Sequence, residues 1–553
     1  MSKVSKKIQV LSEHEHILKR PTIYVGSVKV SDEILPIIKE NKIHSENRQI
    51  SVGMYKLFDE VISNSVDEAK RMTSKMKYIK ISVDSKTNRM SIEDSGDGFY
   101  NGSLINSKSG MSNVSTAVSM LRAGSNFDND NITESLIGTN GMGVSLVNAL
   151  SDVFSIETIN SKEIYSQEWN SFIPKDPIIK PKSVSKKTGT TVSFIPMNTI
   201  FDKCKWDHDI ILTILKLKKR VLETEDKTKS LRVVFQWDTK EVEITSDIYS
   251  EVSYITPIGE VLLWENFEGS TSLSFVNSAM CTGVHQKIIS DEINGYLEDS
   301  LAHHFYDFLL LLNLPPALVK FGDQNKTKFV TKRDEIDSII SDGFSQKIKS
   351  FTKTPLFSRI KKRVEARKKD TDLKNIRREK KKINIKYSNK YFPPTSKSGR
   401  NLFIVEGLSA MGSILQKRNT KTDGVYALKG KIKNARVLSD LSTNKEILEL
   451  MQILNLDPSS PNNNPIYDNI VIATDQDPDG AHITSLLINL FYNWFPWVVR
   501  QKRLYFLETP LISSGDRAKK YFYSLDDFKS SNDKKSNVRY LKGLGSLSLD
   551  DWD

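Results

Sequence analysis

Apolar and polar positions follow two different periods along this chain. Extended runs such as "YIKISVD" (78–84), "MSIEDSGDG" (90–98) and "TGTTVSFIP" (188–196) lie in a first region that also carries helical patterns. A second set, "LRVVFQW", "VEITSDI" and "TSLSFVNSA", predicts further half-buried strands between residues 231 and 279. Leu356, Ile360 and Val364 then recur every fourth residue, which predicts a long helix with one apolar stripe. The stretch "YFPPTSKSGR" reads as a boundary. Beyond it, "NLFIVEG" and "NIVIATDQDPDG" are apolar strands that each end in acid, the pattern of a buried parallel sheet with its site at the carboxyl ends of the strands.

The second of those strands runs into Asp475, Asp477 and Asp479 at alternate positions. In extended backbone such positions share one face, so three carboxylates would point into one small volume. Either they form a solvated acidic turn, or a hard divalent cation such as magnesium sits among them.

Composition narrows the class. A chain of 553 residues divides into roughly two to four domains. Cys204 and Cys281 are the only cysteines, which excludes a disulfide framework or a cysteine-rich zinc site and agrees with a reducing compartment. The N-terminus has charge but no apolar core, and the most apolar segment, "SLLINLFYNWFPWVV", is short and interrupted by Asn489, Asn493 and Pro496. Neither secretion nor membrane insertion is expected, and the cytoplasm is the expected location. The net charge of +12 is concentrated between Lys347 and Lys382, where 16 Lys or Arg face 4 Asp or Glu. That basic helix is either a solvated linker or a contact for phosphate backbone.

No G-x-x-x-x-G-K-[ST] loop occurs, so a P-loop nucleotide site is unsupported. Three other elements converge on nucleotide. In "YKLFDEVISNSVDEA", Glu60 and Asn64 are four apart on one helical face, where a carboxylate could orient an attacking water and an amide oxygen could hold magnesium. "EDSGDG" follows a strand, so Asp94 could accept from an exocyclic amine while Gly96 and Gly98 let a ring approach the backbone. "GTNGMGVSLVNAL" sets Gly138, Gly141 and Gly143 before an apolar helix, a cradle for phosphate.

The order Glu-x-x-x-Asn, Asp-x-Gly-x-Gly, Gly-x-Asn-Gly-x-Gly and Thr-Gly-Thr resembles the Bergerat ATP fold of DNA gyrase, Hsp90, histidine kinases and MutL. "EHILKRPTIYVGS" and the Glu60 helix are similar to type IIA DNA topoisomerases in particular. The resemblance implies Glu60 as general base, Asn64 as magnesium ligand and Asp94 as adenine reader. It places Ser125 and Asn126 at ribose or phosphate, Asn140, Gly141 and Gly143 at the phosphates, and Gly98 and Thr190 near the base. "DQNK" resembles the family's Gln-Thr-Lys loop, so Gln324 and Lys326 would reach the γ-phosphate from the second domain, with Asn325 where Thr is usual.

"IVEGLSA" and "TDQDPDG" resemble the two acidic motifs of a TOPRIM domain, which implies that Glu406, Asp475, Asp477 and Asp479 hold magnesium for DNA cleavage. "ALKGKIKNA" and "RYLKGLGSL" match later family segments, making Lys429, Lys431 and Lys542 candidates for DNA phosphate or structural contacts. Two departures are Leu408 in "EGLSA", where the family has Asp, and Ser63 in the family's Asp-Asn pair. The expected fold class is α/β, an α+β multidomain chain. It would comprise a Bergerat-type ATPase sandwich (1–225), a transducer domain with the basic helix (226–395) and a TOPRIM domain with a Rossmann-like parallel sheet (396–553).

The implied function is that of the ATP-hydrolysing subunit of a type II topoisomerase, using ATP and Mg2+ on double-stranded DNA. The nucleophilic tyrosine is expected on a partner subunit or on a region outside this sequence. A homodimer through the ATPase domain and a heterotetrameric holoenzyme follow from the same resemblance. The Lys/Asn/Ile-rich composition points to the large subunit of T4-like phage topoisomerases, hence to a host cytoplasm. The alternative is an ATP-gated DNA clamp or scaffold without cleavage activity, which Leu408 favours.

Overall fold

The computed structural model describes residues 10–547 except 72, 124–140, 183–186, 226–227, 324, 386–387, 397–398, 461–465, 516–518, 532–536, 542 and 545–546. Two compact units divide at Val364/Glu365, inside the long basic helix rather than at the "YFPPTSKSGR" stretch.

The first unit holds two large sheets, beside the two-stranded pairs Ser31–Lys39 with Lys42–Ile50 and Thr282–Gly283 with Lys328–Phe329. Period-two alternation builds the larger one: Ile79, Ile81 and Val83 of one strand and Met90 and Ile92 of the next are buried, while their neighbours are not. The strand order is Lys240–Glu243, Arg232–Trp237, Tyr78–Asp84, Arg89–Asp94, Gly189–Pro196, Ser151–Ile159, Glu163–Asn170 and Ile173–Pro174, with Ile178–Pro181 also paired to Glu163–Asn170. Arg232–Trp237 runs parallel to Tyr78–Asp84, so this sheet takes two strands from beyond residue 225. Its apolar face is covered by the helix Val52–Lys70, which starts where the Ser51 side chain accepts from the Met54 N–H and buries Met54, Leu57, Phe58, Val61, Ile62 and Val66. Each such side chain contributes about 1.5–3 kcal/mol by leaving water.

The second sheet orders Val252–Thr256, Gly259–Glu265, Tyr306–Leu312, Leu273–Val276 and Ala279–Met280. Its central strand "YDFLLLL" is apolar at nearly every position because both faces are covered. Tyr306, Phe308, Leu310 and Leu312 pack with the helices Val284–Leu297 and Arg333–Phe351. Leu309 and Leu311 pack with Leu217 and Val221 of the helix His208–Glu223. Of the 28-residue helix Pro355–Lys382, Leu356, Ile360 and Val364 belong to the core of this unit, as their spacing predicts.

The second unit is built on a sheet ordered Tyr391–Phe392, Asp423–Leu428, Gly399–Glu406, Tyr467–Ala473 and Leu504–Phe506, parallel except for its first strand, with a smaller antiparallel sheet of Lys520–Phe522, Ile512–Ser514 and Val538–Tyr540. The helix Gly407–Lys417 leaves directly after Glu406 ends its strand, whereas the strand Tyr467–Ala473 ends short of the acids and reaches the helix Pro478–Trp494 through Asp475 and the cap Asp477. The predicted boundary stretch therefore begins as an edge strand, which its prolines end. Among the described residues no helix is long and apolar enough to cross a membrane.

Candidate active sites: a nucleotide cavity and an acidic strand-end cluster

A cavity of about 1010 Å³ opens between the Val52–Lys70 helix and the larger sheet. Of the described residues predicted for the nucleotide site, Glu60, Asn64, Asp94, Gly98, Gly141, Gly143, Thr190 and Lys326 line it and Gly96 does not. Ser125, Asn126, Asn140 and Gln324 lie outside the described residues.

Local structure explains the placement. Asp94 is in phase with Met90 and Ile92, so strand alternation turns its carboxylate to the helix-covered face. It accepts there from Ser65 Oγ (3.0 Å), Gly96 N (3.0 Å) and Thr190 N (3.3 Å). Burial raises the Asp94 carboxyl above its usual range, and these donors offset that only in part. Val61, Ile92, Val118, Ile156 and Val192 give the same cavity apolar walls suited to a flat ring. Gly98 has φ +73°, and a Cβ there would overlap the Ile159 carbonyl oxygen. A Cβ at Gly143, the first residue of the helix Gly143–Ala149, would overlap the Glu60 carboxylate. The glycine loop and the acid thus touch.

Glu60 does not stand alone. Lys56, one turn earlier and only 9% exposed, places Nζ 2.9 Å from Glu60 Oε1 and 3.0 Å from Asp59 Oδ2. Sequence reasoning missed Lys56 and Ser65, although the i, i+4 spacing of Lys56 to Glu60 was a usable signal. Ser63, a departure from the resembled motif, is buried and accepts from Lys218 Nζ at 3.0 Å.

In the second unit, Glu406 ends its strand opposite Leu428, and Ala473 lies opposite Val405, so Asp475 follows on the neighbouring strand end. Asp475 Oδ1 accepts from Leu544 N (2.8 Å), and a Cβ at Gly543 would overlap its carboxylate. Within "RYLKGLGSL", Gly543 and Leu544 thus pack on Asp475, and Lys542 lies outside the described residues. Asp477 caps the Pro478–Trp494 helix by accepting from Gly480 N (2.7 Å), and Asp479 pairs with Lys431 at 2.7 Å.

The four acids therefore do not form a ready ligand set: among the described residues no three His, Cys, Asp or Glu side chains are arranged to hold a metal ion. Their donor chemistry still fits a hard cation. Glu406 Oε2 is buried without a hydrogen-bond partner, and burial followed by the charges of Asp477, Asp475 and Asp479 raises the Glu406 carboxyl. Leu408 is 54% exposed on the first turn after Glu406. Lys429 donates its backbone N–H to Glu446 Oε2 at 3.3 Å.

Comparison with known proteins covers the regions that hold both sites. Residues 401–509 match the Toprim domain. The ATPase region of Saccharomyces cerevisiae topoisomerase II, 25% identical, superposes on 65% of this chain and 99% of its own with a TM-score of 0.52. The ATPase and transducer domains of DNA topoisomerase II from Balamuthia mandrillaris share the fold over 66% of this chain and 100% of their own, with a TM-score of 0.55 at 18% identity. The class so defined is that of the type II DNA topoisomerases, to which the chain is homologous as an ATPase/B-type subunit with a Toprim domain. In particular, it is 25% identical to the B subunit of DNA topoisomerase 4 from Mycoplasma capricolum over 98% of its own length and 88% of that protein's. Against human DNA topoisomerase 2-alpha, 27% identical, the chain spans 38% of the relative's length.

Proposed function

We propose that the chain is the ATP-hydrolysing subunit of a type II DNA topoisomerase. In this reading it closes as a dimer on ATP and contributes the acidic half of a DNA cleavage and religation site. The observation that carries it is the convergence of Glu60, Asn64, Asp94, Gly143 and Lys326 on one cavity. Glu60 orients and deprotonates the attacking water, Asn64 faces the phosphates with its amide oxygen, and Asp94 receives the adenine amine. Lys326 approaches from the second sheet's side of the unit to meet the γ-phosphate. Magnesium at Glu406 and the aspartates would supply Lewis acidity at the scissile phosphate. There the chain's own residues hold negative charge at two adjacent strand ends, and Lys431 keeps Asp479 neutralised.

The regions proposed are an ATPase sheet completed at Glu243, the second sheet with the basic helix as transducer, and the Toprim domain. The partners proposed are double-stranded DNA, a second copy of the chain through the ATPase region, and a tyrosine-bearing subunit or region in a heterotetramer. On the basic helix, Arg359 pairs with Glu251 and Glu265 and Arg363 with Glu265, so these two hold the helix to the second sheet. The exposed Lys362 and Lys369 are better placed for phosphate backbone.

A second reading, an ATP-gated clamp without cleavage, is favoured by the occupied aspartate oxygens and by Leu408. The test is reconstitution. The purified chain should hydrolyse ATP and leave supercoiled DNA intact, and a tyrosine-bearing partner should add ATP-dependent strand passage. ATP-dependent DNA retention with no strand passage by any such partner would select the clamp.

A further inference from the structure

The cavity uses neither Asp59 nor Lys218, yet both belong to a charged group joined to Glu60 through Lys56, in which Lys218 is buried and the Asp59 side chain is 38% exposed. Lys218 Nζ lies 2.8 Å from Asp59 Oδ1, donates to Ser63 Oγ at 3.0 Å and donates to the Ser278 carbonyl at 3.2 Å. Lys218 and Lys56 are each less than a tenth exposed, so their charges were desolvated on folding and depend on these partners. Burial alone would raise the Asp59 carboxyl, but the ammoniums of Lys218 and Lys56 hold it well below the usual carboxylate range.

Ser278 lies in the left-handed turn Asn277–Ser278 that joins Leu273–Val276 to Ala279–Met280 in the second sheet. Asn277 fixes this turn to the segment after the central strand: Leu314 N donates to its Oδ1 at 2.7 Å and its Nδ2 donates to the Leu314 carbonyl at 2.8 Å. Just past the turn, Thr282 N donates to the Thr327 carbonyl at 2.9 Å, beside Lys326. The two groups proposed to act at the γ-phosphate, Glu60 and Lys326, are thus linked through the Lys56–Asp59–Lys218 ion pairs, the backbone from Ser278 to Thr282 and the Thr282–Thr327 hydrogen bond.

We infer that Lys218 is a positioning residue for ATP hydrolysis. By neutralising Asp59 it leaves Lys56 to Glu60, and by binding the Ser278 carbonyl it fixes the turn that leads to Thr282, which is hydrogen-bonded to the segment carrying Lys326. Without Lys218, Asp59 competes for Lys56 and draws it from Glu60. The inference rests on Glu60 being the base.

The experiment measures nucleotide-analogue binding and ATP turnover on the full chain. Lys218→Met should lower kcat about tenfold, the size of one coupling between touching residues, and leave the analogue Kd within about twofold. Lys218→Arg should recover most of the rate. The double variant Asp59→Asn with Lys218→Met removes both charges, so it avoids leaving the half-buried Asp59 with Lys56 as its one ion-pair partner and should fold even where the single variant does not. It should lose hydrolysis less than the product of the two single losses, because the two residues act as one unit. Unchanged kcat in Lys218→Met, or losses that multiply in the double variant, would overturn the inference alone, provided Glu60→Ala is inactive. A hydrolysing Glu60→Ala would overturn the reading of Glu60 and the inference with it.

Discussion

Lys56 Nζ lies 2.9 Å from Glu60 Oε1 and 3.0 Å from Asp59 Oδ2, so one buried ammonium serves two neighbouring carboxylates. Removing the acid and removing its cation should therefore have different effects. Glu60→Ala is expected to keep nucleotide binding and lower turnover by about 10²–10⁴-fold. Lys56→Met takes the ammonium from Glu60 and leaves Asp59 with Lys218, and is expected to lower the melting temperature as well as the rate. Calorimetric binding of a non-hydrolysable analogue, phosphate release and a thermal melt separate the two; equal loss of binding and turnover in Glu60→Ala would remove it from the role of base.

Gly143 and Gly98 test the cavity walls in another way. The atom that an added methyl at Gly143 meets is the end of the Glu60 side chain, which can move, so Gly143→Ala should fold and bind nucleotide yet hydrolyse at least about tenfold more slowly. At Gly98 the obstacle is backbone and φ is +73°, so Gly98→Ala should instead destabilise the protein by about 1–3 kcal/mol. Paired melts and turnover assays should give these opposite profiles.

On the basic helix, neutralising Lys362 and Lys369 should flatten the salt dependence of DNA binding, by about 0.9 in log-log slope for each phosphate no longer neutralised. Arg359→Gln and Arg363→Gln should leave that slope alone, since both guanidiniums are paired with Glu251 or Glu265. A slope insensitive to both lysines would make the helix a solvated strut.

At the acidic cluster, Asp475→Asn with Asp477→Asn should abolish DNA cleavage by the reconstituted enzyme and spare ATPase activity, because the two sites lie in different units. Lys431→Ala removes the cation now paired with Asp479. Magnesium binding by the nucleotide-free chain should then tighten about two- to fivefold, in keeping with the small worth of an exposed pair. Weaker magnesium binding in Lys431→Ala would show that the lysine does not compete at this site.

Buried His285 provides a pH test. Its Nε2 lies 2.8 Å from Ser274 Oγ, its Nδ1 has no hydrogen-bond partner, and burial lowers the imidazole from 6.5 to about 4. The unfolded chain therefore binds this proton more readily than the folded one. Stability is fully present above about pH 6.5 and falls as pH drops toward 4, by up to about 3 kcal/mol. Urea titrations of His285→Gln between those values should show a flatter pH dependence than the unsubstituted chain.

The sequence was most legible where chemistry repeats at short range. Glu60 and Asn64 are one helical turn apart, and Asp94 through Gly98 form one strand end, so local spacing was enough to place them in a common site. The acid-ended strands were legible for the same reason, but the use of Asp477 as a helix cap and of Asp475 as acceptor for Leu544 depends on side-chain rotamers and on residues far along the chain. Lys218 is beyond the reach of pattern reading. It reads as one of several lysines in "LKLKKR", and only the fold sets it against Asp59, far away in sequence. The segment after residue 225 reads plainly as a strand, but which sheet it joins is decided by long-range pairing rather than by its own residues.

That pairing has a consequence for how the molecule comes into being. Tyr78–Asp84 waits for Arg232–Trp237, made roughly 150 residues later, before its outer edge is hydrogen-bonded, and closing so long a loop is slow. During synthesis the nascent sheet presents an open edge backed by Ile79, Ile81 and Val83, a template for pairing with other chains until the late strand arrives. A fragment ended at residue 225 would keep that edge permanently and should aggregate, whereas one extended through Glu243 should remain monodisperse.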